Sequence, residues 1–247
     1  MQPLTSTRVF IFIVSVFTIL ELLIMLFLEE VAVHFSALTR VLLDTTLLAA
    51  LSTPIIYYWV FKPYITERDK HLEQIRHLAY HDPLTNLANR RLLFQHLEKA
   101  IAFSARHQIF SALILIDIDN FKPINDKYGH DAGDALLIEI AKRLENITRT
   151  EDIVSRIGGD EFVVVVSQLS KSKEDARAKA DAIAQKLRVA IYQPFEYGGK
   201  YILANSSLGV RVIGQDRHDP DSLLKDADNA MYSVKGRETG GVGVCDH

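Results

Sequence analysis

Residues 153–167 read IVSRIGGDEFVVVVS: two short runs, Ile153–Ile157 and Glu161–Ser167, rich in β-branched residues and joined through Gly158-Gly159. Paired glycines between such runs are a strong hairpin signal, because a tight turn needs backbone angles that a Cβ disfavours. Upstream, Phe110–Ile118 (FSALILIDI) is nearly continuously apolar, the composition of a strand buried on both faces. Asp131–Arg149 carries Leu136, Leu137, Ile140, Leu144 and Ile147 at helical spacing, and Asn89–Arg106 does the same with Leu92, Leu93, Leu97 and Ile101, after a break at Asp82-Pro83. Downstream, Lys173–Tyr192 reads as a helix, Tyr197–Ile213 as a hairpin at Gly198-Gly199 followed by a strand, Asp219–Val234 as a last helix and Val242–Val244 as an edge strand. Helices alternating with strands and two hairpins predict an α+β fold, a mixed central sheet with flanking helices.

The chain has 247 residues, of which 48% are hydrophobic and 24% charged, with a net charge of -3. That supports a packed core and excludes a disordered or disulfide-scaffolded chain. Cys245 is alone and closes no internal bridge. The slightly negative balance speaks against a nucleic-acid partner, which calls for a basic stripe.

The charge is unevenly placed. Residues 1–61 hold two cationic side chains, Arg8 and Arg40, and four carboxylates, Glu21, Glu29, Glu30 and Asp44. Val9–Leu28 is apolar apart from Ser15, Thr18 and Glu21, and a helix of that length crosses a hydrocarbon core of about 30 Å. Val41–Phe61 is a second such run, interrupted by Asp44 and Pro54. A cleavable signal peptide is the competing reading of the first run, but Glu29-Glu30 stands where small residues would be needed. The expectation is a two-helix transmembrane hairpin over residues 1–61. Arg8 and the cluster Lys62, Arg68 and Lys70 place both termini and the remaining chain in the cytoplasm, at the inner membrane, multi-pass. Asp44 lies one turn from the interface, whereas Glu21 is deep enough to serve in a helix–helix contact. Residues 62–80 read as a cytoplasmic linker helix in which Ile65, Leu72 and Ala79 recur at seven, with Ile75 between. This is either a solvated helix or a short parallel coiled coil joining two copies of the domain over residues 81–247.

Asp117 and Asp119 flank the end of the first strand, and Asp160 and Glu161 emerge from the glycine turn. Carboxylates brought to one sheet edge repel unless a cation lies between them, and hard oxygen donors suit Mg²⁺, with Mn²⁺ as the substitute. The alternative is solvated carboxylates at strand ends. Lys122 and Lys235 have the point charge that suits phosphate. Asn125 and Asp134 carry the donors and acceptors that a base would need; each is also an ordinary capping residue.

Taken together, the segment Arg156-Ile157-Gly158-Gly159-Asp160-Glu161-Phe162 resembles the signature of the GGDEF family of diguanylate cyclases. His81-Asp82-Pro83-Leu84-Thr85-Asn86-Leu87-Ala88-Asn89-Arg90-Arg91 is similar to the family's opening motif. Asp117-Ile118-Asp119-Asn120-Phe121-Lys122-Pro123-Ile124-Asn125-Asp126, then Gly129-His130 and Gly133-Asp134, resembles its nucleotide-binding stretch. Ser207-Leu208-Gly209-Val210 and Ala227–Lys235 resemble the later blocks. The resemblance implies a palm-like domain, active as a homodimer, in which two GTP molecules condense to cyclic di-GMP and two pyrophosphates. By position, Asp117, the Ile118 carbonyl and Asp160 would bind Mg²⁺, with Asp117, Asp160 and Glu161 as the catalytic acids. Glu161 would act at the metal or at the attacking hydroxyl. Phe121, Lys122, Asn125, Asp134 and Lys235 would bind substrate, with Asn125 and Asp134 reading guanine and the lysines holding phosphates. Arg149 and Asp152, an Arg-x-x-Asp pattern before the glycines, fall where the family places an inhibitory product site. One departure stands out. Gly236-Arg237-Glu238-Thr239 puts Thr239 where the family has a phosphate-assisting arginine, leaving Arg237 as the candidate substitute. The competing function is a catalytically silent module that binds GTP or cyclic di-GMP and signals by contact.

Overall fold

The computed structural model describes residues 6–31, 35–214, 219–235 and 240–245. The chain divides into two compact units, Met1–Ile75 and Arg76–His247.

In the first unit, α1 (Ser6–Val31) is followed by α2 (Ala37–Ile56), which Ser36 caps by accepting a hydrogen bond from the Thr39 amide. Pro54 sits inside α2 and removes one ladder donor. The helix then continues through a single π-helical turn, Tyr57–Phe61, into α3 (Lys62–Tyr80). Ile24 and Ser52 are buried, whereas Phe10, Leu22, Leu38 and Leu42 stand exposed on these helices. Thr7–Val31 and the helix running on from Ala37 are long and apolar enough to cross a membrane by length and composition.

The second unit is a five-stranded sheet in the order β2-β3-β1-β6-β7. These strands are β1 (Phe110–Asp119), β2 (Ile153–Gly158), β3 (Glu161–Ser170), β6 (Asn205–Ile213) and β7 (Gly241–Val244). A separate hairpin pairs β4 (Phe195–Tyr197) with β5 (Lys200–Ile202). β6 and β7 run parallel and the other pairs antiparallel, so the sheet is mixed, as the sequence predicts. The central β1 is buried along nearly its whole length, and its side chains alternate between two cores. Ala112, Ile114, Ile116 and Ile118 meet Leu136, Leu137, Ile140 and Leu144 of α6 (His130–Ile147) and Ala180, Ala184 and Leu187 of α7 (Lys173–Ile191). Leu113 and Leu115 meet Leu93, Leu97 and Ile101 of α4 (Arg90–His107) and Leu223, Ala227 and Met231 of α8 (Pro220–Tyr232). The continuous apolar run of β1 thus has the origin the sequence suggests: helices cover both faces.

Two differences from the sequence reading stand out, the first of them next to the site. Phe121–Tyr128 forms a short helix, α5, that apolar periodicity does not announce, because Lys122, Pro123, Asp126 and Lys127 interrupt it. It is entered through Asn120 at φ 56, a left-handed conformation that asparagine tolerates. The second difference is at β3, which extends to Ser170, three residues beyond the apolar run.

Candidate active site

The odd-numbered residues that put Leu113 and Leu115 against α4 and α8 also put Asp117 and Asp119 on that face, at the carboxyl end of the central strand. Register then assembles the acids: Asp117 lies opposite Glu161 of β3 on one side and Ser207 of β6 on the other. The glycine turn brings Asp160 alongside, since the Ile118 amide donates to the Asp160 carbonyl at 3.3 Å. Gly159 occupies φ +49, and a Cβ on Gly158 or Gly159 would meet nothing within 4 Å. The turn therefore presents bare backbone to open space, which suits a phosphate-bearing ligand.

Charge is concentrated here. Asp117 is 7% exposed and its Oδ2 accepts from Lys235 Nζ at 2.9 Å. The Asp117 hydrogen bond, with the further pull of Asp117, Asp160 and Asp119, holds the Lys235 ammonium above its ordinary range, so it stays charged. Glu161 is pushed up, first by burial and then by Asp117, Asp160 and Asp228. Asp119 is also pushed up, mainly by burial, although Ser207 donates to its Oδ1 at 2.8 Å. The other oxygen, Asp119 Oδ2, is buried with no partner among the described residues. Excess negative charge held in one place by a folded sheet edge is the electrostatic signature of a cation site. Among the described residues, no three His, Cys, Asp or Glu side chains form a metal cluster. The donors at hand are two carboxylates, Asp117 and Asp160, and a main-chain carbonyl at Ile118, a hard-oxygen set that fits Mg²⁺. The Lys235 ammonium already supplies one positive charge against it.

The remaining substrate candidates gather on α5 and α6. Lys122 and Asp134 are exposed, Asn125 and Phe121 are half-buried, and Asn125 packs against Gly133 of α6. Arg149 and Asp152 lie elsewhere, at the opposite end of β2 from the glycine turn, about 17 Å away by strand rise. They line a cleft with Glu145, Thr148, Thr150 and Val154. The Arg149 side chain is 74% exposed, but Asp152 already accepts from the Arg149 and Ser167 amides, both at 3.0 Å. Arg237 and Thr239 lie outside the described residues.

Three contributors escape sequence reasoning. Ser207 and Asp228 reach the site only through strand register and the packing of α8 on β6, which no local spacing reveals. Arg156 donates to the Gly159 carbonyl at 3.0 and 2.7 Å and to Asp82 Oδ1 at 2.9 Å, tying the turn to a segment 74 residues earlier. Both Arg156 and Asp82 lie in motifs that the sequence displays, but nothing in the sequence pairs them.

Residues 79–240 match the family model for the diguanylate cyclase GGDEF domain. The chain is 40% identical over 173 residues to the bifunctional diguanylate cyclase/cyclic di-GMP phosphodiesterase MucR of Pseudomonas aeruginosa, covering 68% of this chain and 23% of MucR. It is 37% identical over 166 residues to the diguanylate cyclase TpbB of the same species, covering 67% of this chain and 37% of TpbB. The chain therefore spans well under half the length of these relatives. Among solved structures, the GGDEF domain of TpbB superposes with a TM-score of 0.61 at 34% identity, covering 68% of this chain and 95% of that one. The coiled coil and GGDEF domain of DgcB from Caulobacter crescentus, solved in complex with c-di-GMP, superposes with a TM-score of 0.65 at 25% identity, covering 74% and 94%. With the sheet order, the glycine turn and the facing acids in place, the chain belongs to the GGDEF-domain diguanylate cyclase family.

Proposed function

We propose that this chain is a membrane-anchored diguanylate cyclase that condenses two GTP into cyclic di-GMP and two pyrophosphates, working as a homodimer with Mg²⁺. The observation that carries this is the row of Asp117, Asp160 and Glu161 at one sheet edge, charged beyond what Lys235 neutralises. Asp117, Asp160 and the Ile118 carbonyl would hold the cation, which supplies charge neutralisation at the phosphates. Lys122 and Lys235 hold the phosphate chain, and Lys235 leaves Asp117 to do so. Asn125 and Asp134 face the base, where an aspartate accepting from N1–H and the exocyclic amine selects guanine over adenine. Glu161, its carboxyl already pushed up by burial and by Asp117 and Asp160, would act at the cation or take the proton of the attacking 3′-hydroxyl. Each domain holds one GTP, so two copies must face one another, and the reaction is governed by positioning.

The exposed Arg149 beside its cleft supports product inhibition, since a guanidinium fork fits guanine O6 and N7. Asp152 contributes by holding that turn closed rather than as a free acceptor. The two long apolar helices support anchoring as a hairpin, with α3 and the catalytic domain in the cytoplasm.

Asp160→Ala tests the site. The purified variant should melt as the parent does and form no cyclic di-GMP from GTP and Mg²⁺; turnover at the parental rate refutes the cation assignment. Arg149→Ala should form product at the parental initial rate and lose inhibition by added cyclic di-GMP, measured as an inhibition curve.

A further inference from the structure

Gly133 lies buried in the first turn of α6, immediately before Asp134. A Cβ built on it would collide with Oδ1 of Asn125 and stand 2.9 Å from Asn125 Cγ and 3.2 Å from Phe121 Cζ. The Asn125 amide thus fills the volume that any other residue at 133 would occupy. The backbone itself makes no demand for glycine, because Gly133 is not among the positive-φ glycines and alanine is the better helix former. The Oδ1 seated there is buried and accepts no hydrogen bond from the described residues. A buried acceptor without a donor is unfavourable, so packing rather than bonding fixes where this amide points.

We infer that Gly133 is a specificity-positioning residue: its missing Cβ seats Asn125 beside Asp134 and thereby sets the preference for guanine over adenine. This rests on the base-reading role proposed for Asn125 and Asp134. The group that a Cβ would displace is the amide of a short, half-buried side chain rather than backbone, so it can give way by turning about χ1 and χ2. Gly133→Ala therefore leaves the fold standing and turns the amide away from the base.

The test is a double-mutant cycle on the full chain in detergent micelles, with Ca²⁺ in place of Mg²⁺ and GTP and ATP competing against a fluorescent guanine nucleotide. The quantity measured is the ratio of ATP to GTP dissociation constants. Gly133→Ala should lower that ratio about tenfold, the worth of one well-made hydrogen bond, and should melt within about 5 °C of the parent. Asn125→Ala should lower it similarly, and the double variant should fall no further, because both changes remove one interaction. A parental ratio in Gly133→Ala alongside a lowered one in Asn125→Ala overturns the inference, as does full additivity or a Gly133→Ala chain that does not fold. If Asn125→Ala keeps the parental ratio, base reading by Asn125 fails first and takes the inference with it.

Discussion

Arg156 and Asp82 meet at 2.9 Å with side chains only 12% and 17% exposed, and the same guanidinium holds the carbonyl of Gly159, next to a metal-ligand candidate. Burial pushes the Asp82 carboxyl up, but its bonds from Thr85 and the nearby Arg156 more than offset this and hold it below the usual range. A lowered carboxyl pKa stabilises the fold at pH above the unfolded value, and that stability is lost as pH falls through the folded value. Asp82→Ala should therefore cost about 2 kcal/mol at neutral pH, with the gap to the parent narrowing as pH falls below the usual carboxylate range. Thermal melts across pH measure it. Residue-scale chemistry is only partly visible in the sequence. Asp117 announces itself by interrupting an apolar strand, and Asp160 and Glu161 by following a glycine pair between two strands. The Asp82–Arg156 pair joins residues 74 apart and needs the fold to be seen.

At the scale of elements, α8 approaches the sheet closely enough to bring Lys235 onto Asp117. Gly209 of β6 and Gly243 of β7 are register partners, forming a flat trough. A Cβ at 209 would strike the carbonyl of Ala227 and the amide of Met231, and one at 243 the carbonyl of Ala230. These are backbone atoms that cannot swing aside. Gly209→Ala should cost about 3 kcal/mol in denaturant unfolding, and the lifted helix should weaken nucleotide binding by pulling Lys235 back. The strands and long helices are legible because their apolar periods are long and uninterrupted. Helix α5 is not, since its short length holds a proline and the charged Lys122, Asp126 and Lys127, and it is stabilised by what it packs on. The parallel pairing of β7 is equally hidden, because a four-residue strand carries no sign of its direction.

At the scale of the whole molecule, the charge-poor stretch over residues 1–61 lies within the first of two compact units, Met1–Ile75, and the acidic site lies within the second. Ile65, Leu72 and Ile75 of α3 stand 41%, 55% and 64% exposed, an apolar seam that a second copy would cover. Ile65→Asp with Leu72→Asp should leave the melting of the catalytic unit unchanged while lowering activity per chain most at low chain concentration. Rate measurements over a dilution series show this. In the proposed reaction two copies, each holding one GTP, would close the product ring between them. The most direct measurement incubates the full chain in detergent with GTP and Mg²⁺ over a range of chain concentrations and separates the products by mass. Cyclic di-GMP and pyrophosphate are expected in a one-to-two ratio, with activity per chain rising as the chains associate. Absence of that product from a folded sample that binds GTP, or a rate per chain independent of association, would contradict the proposed reaction.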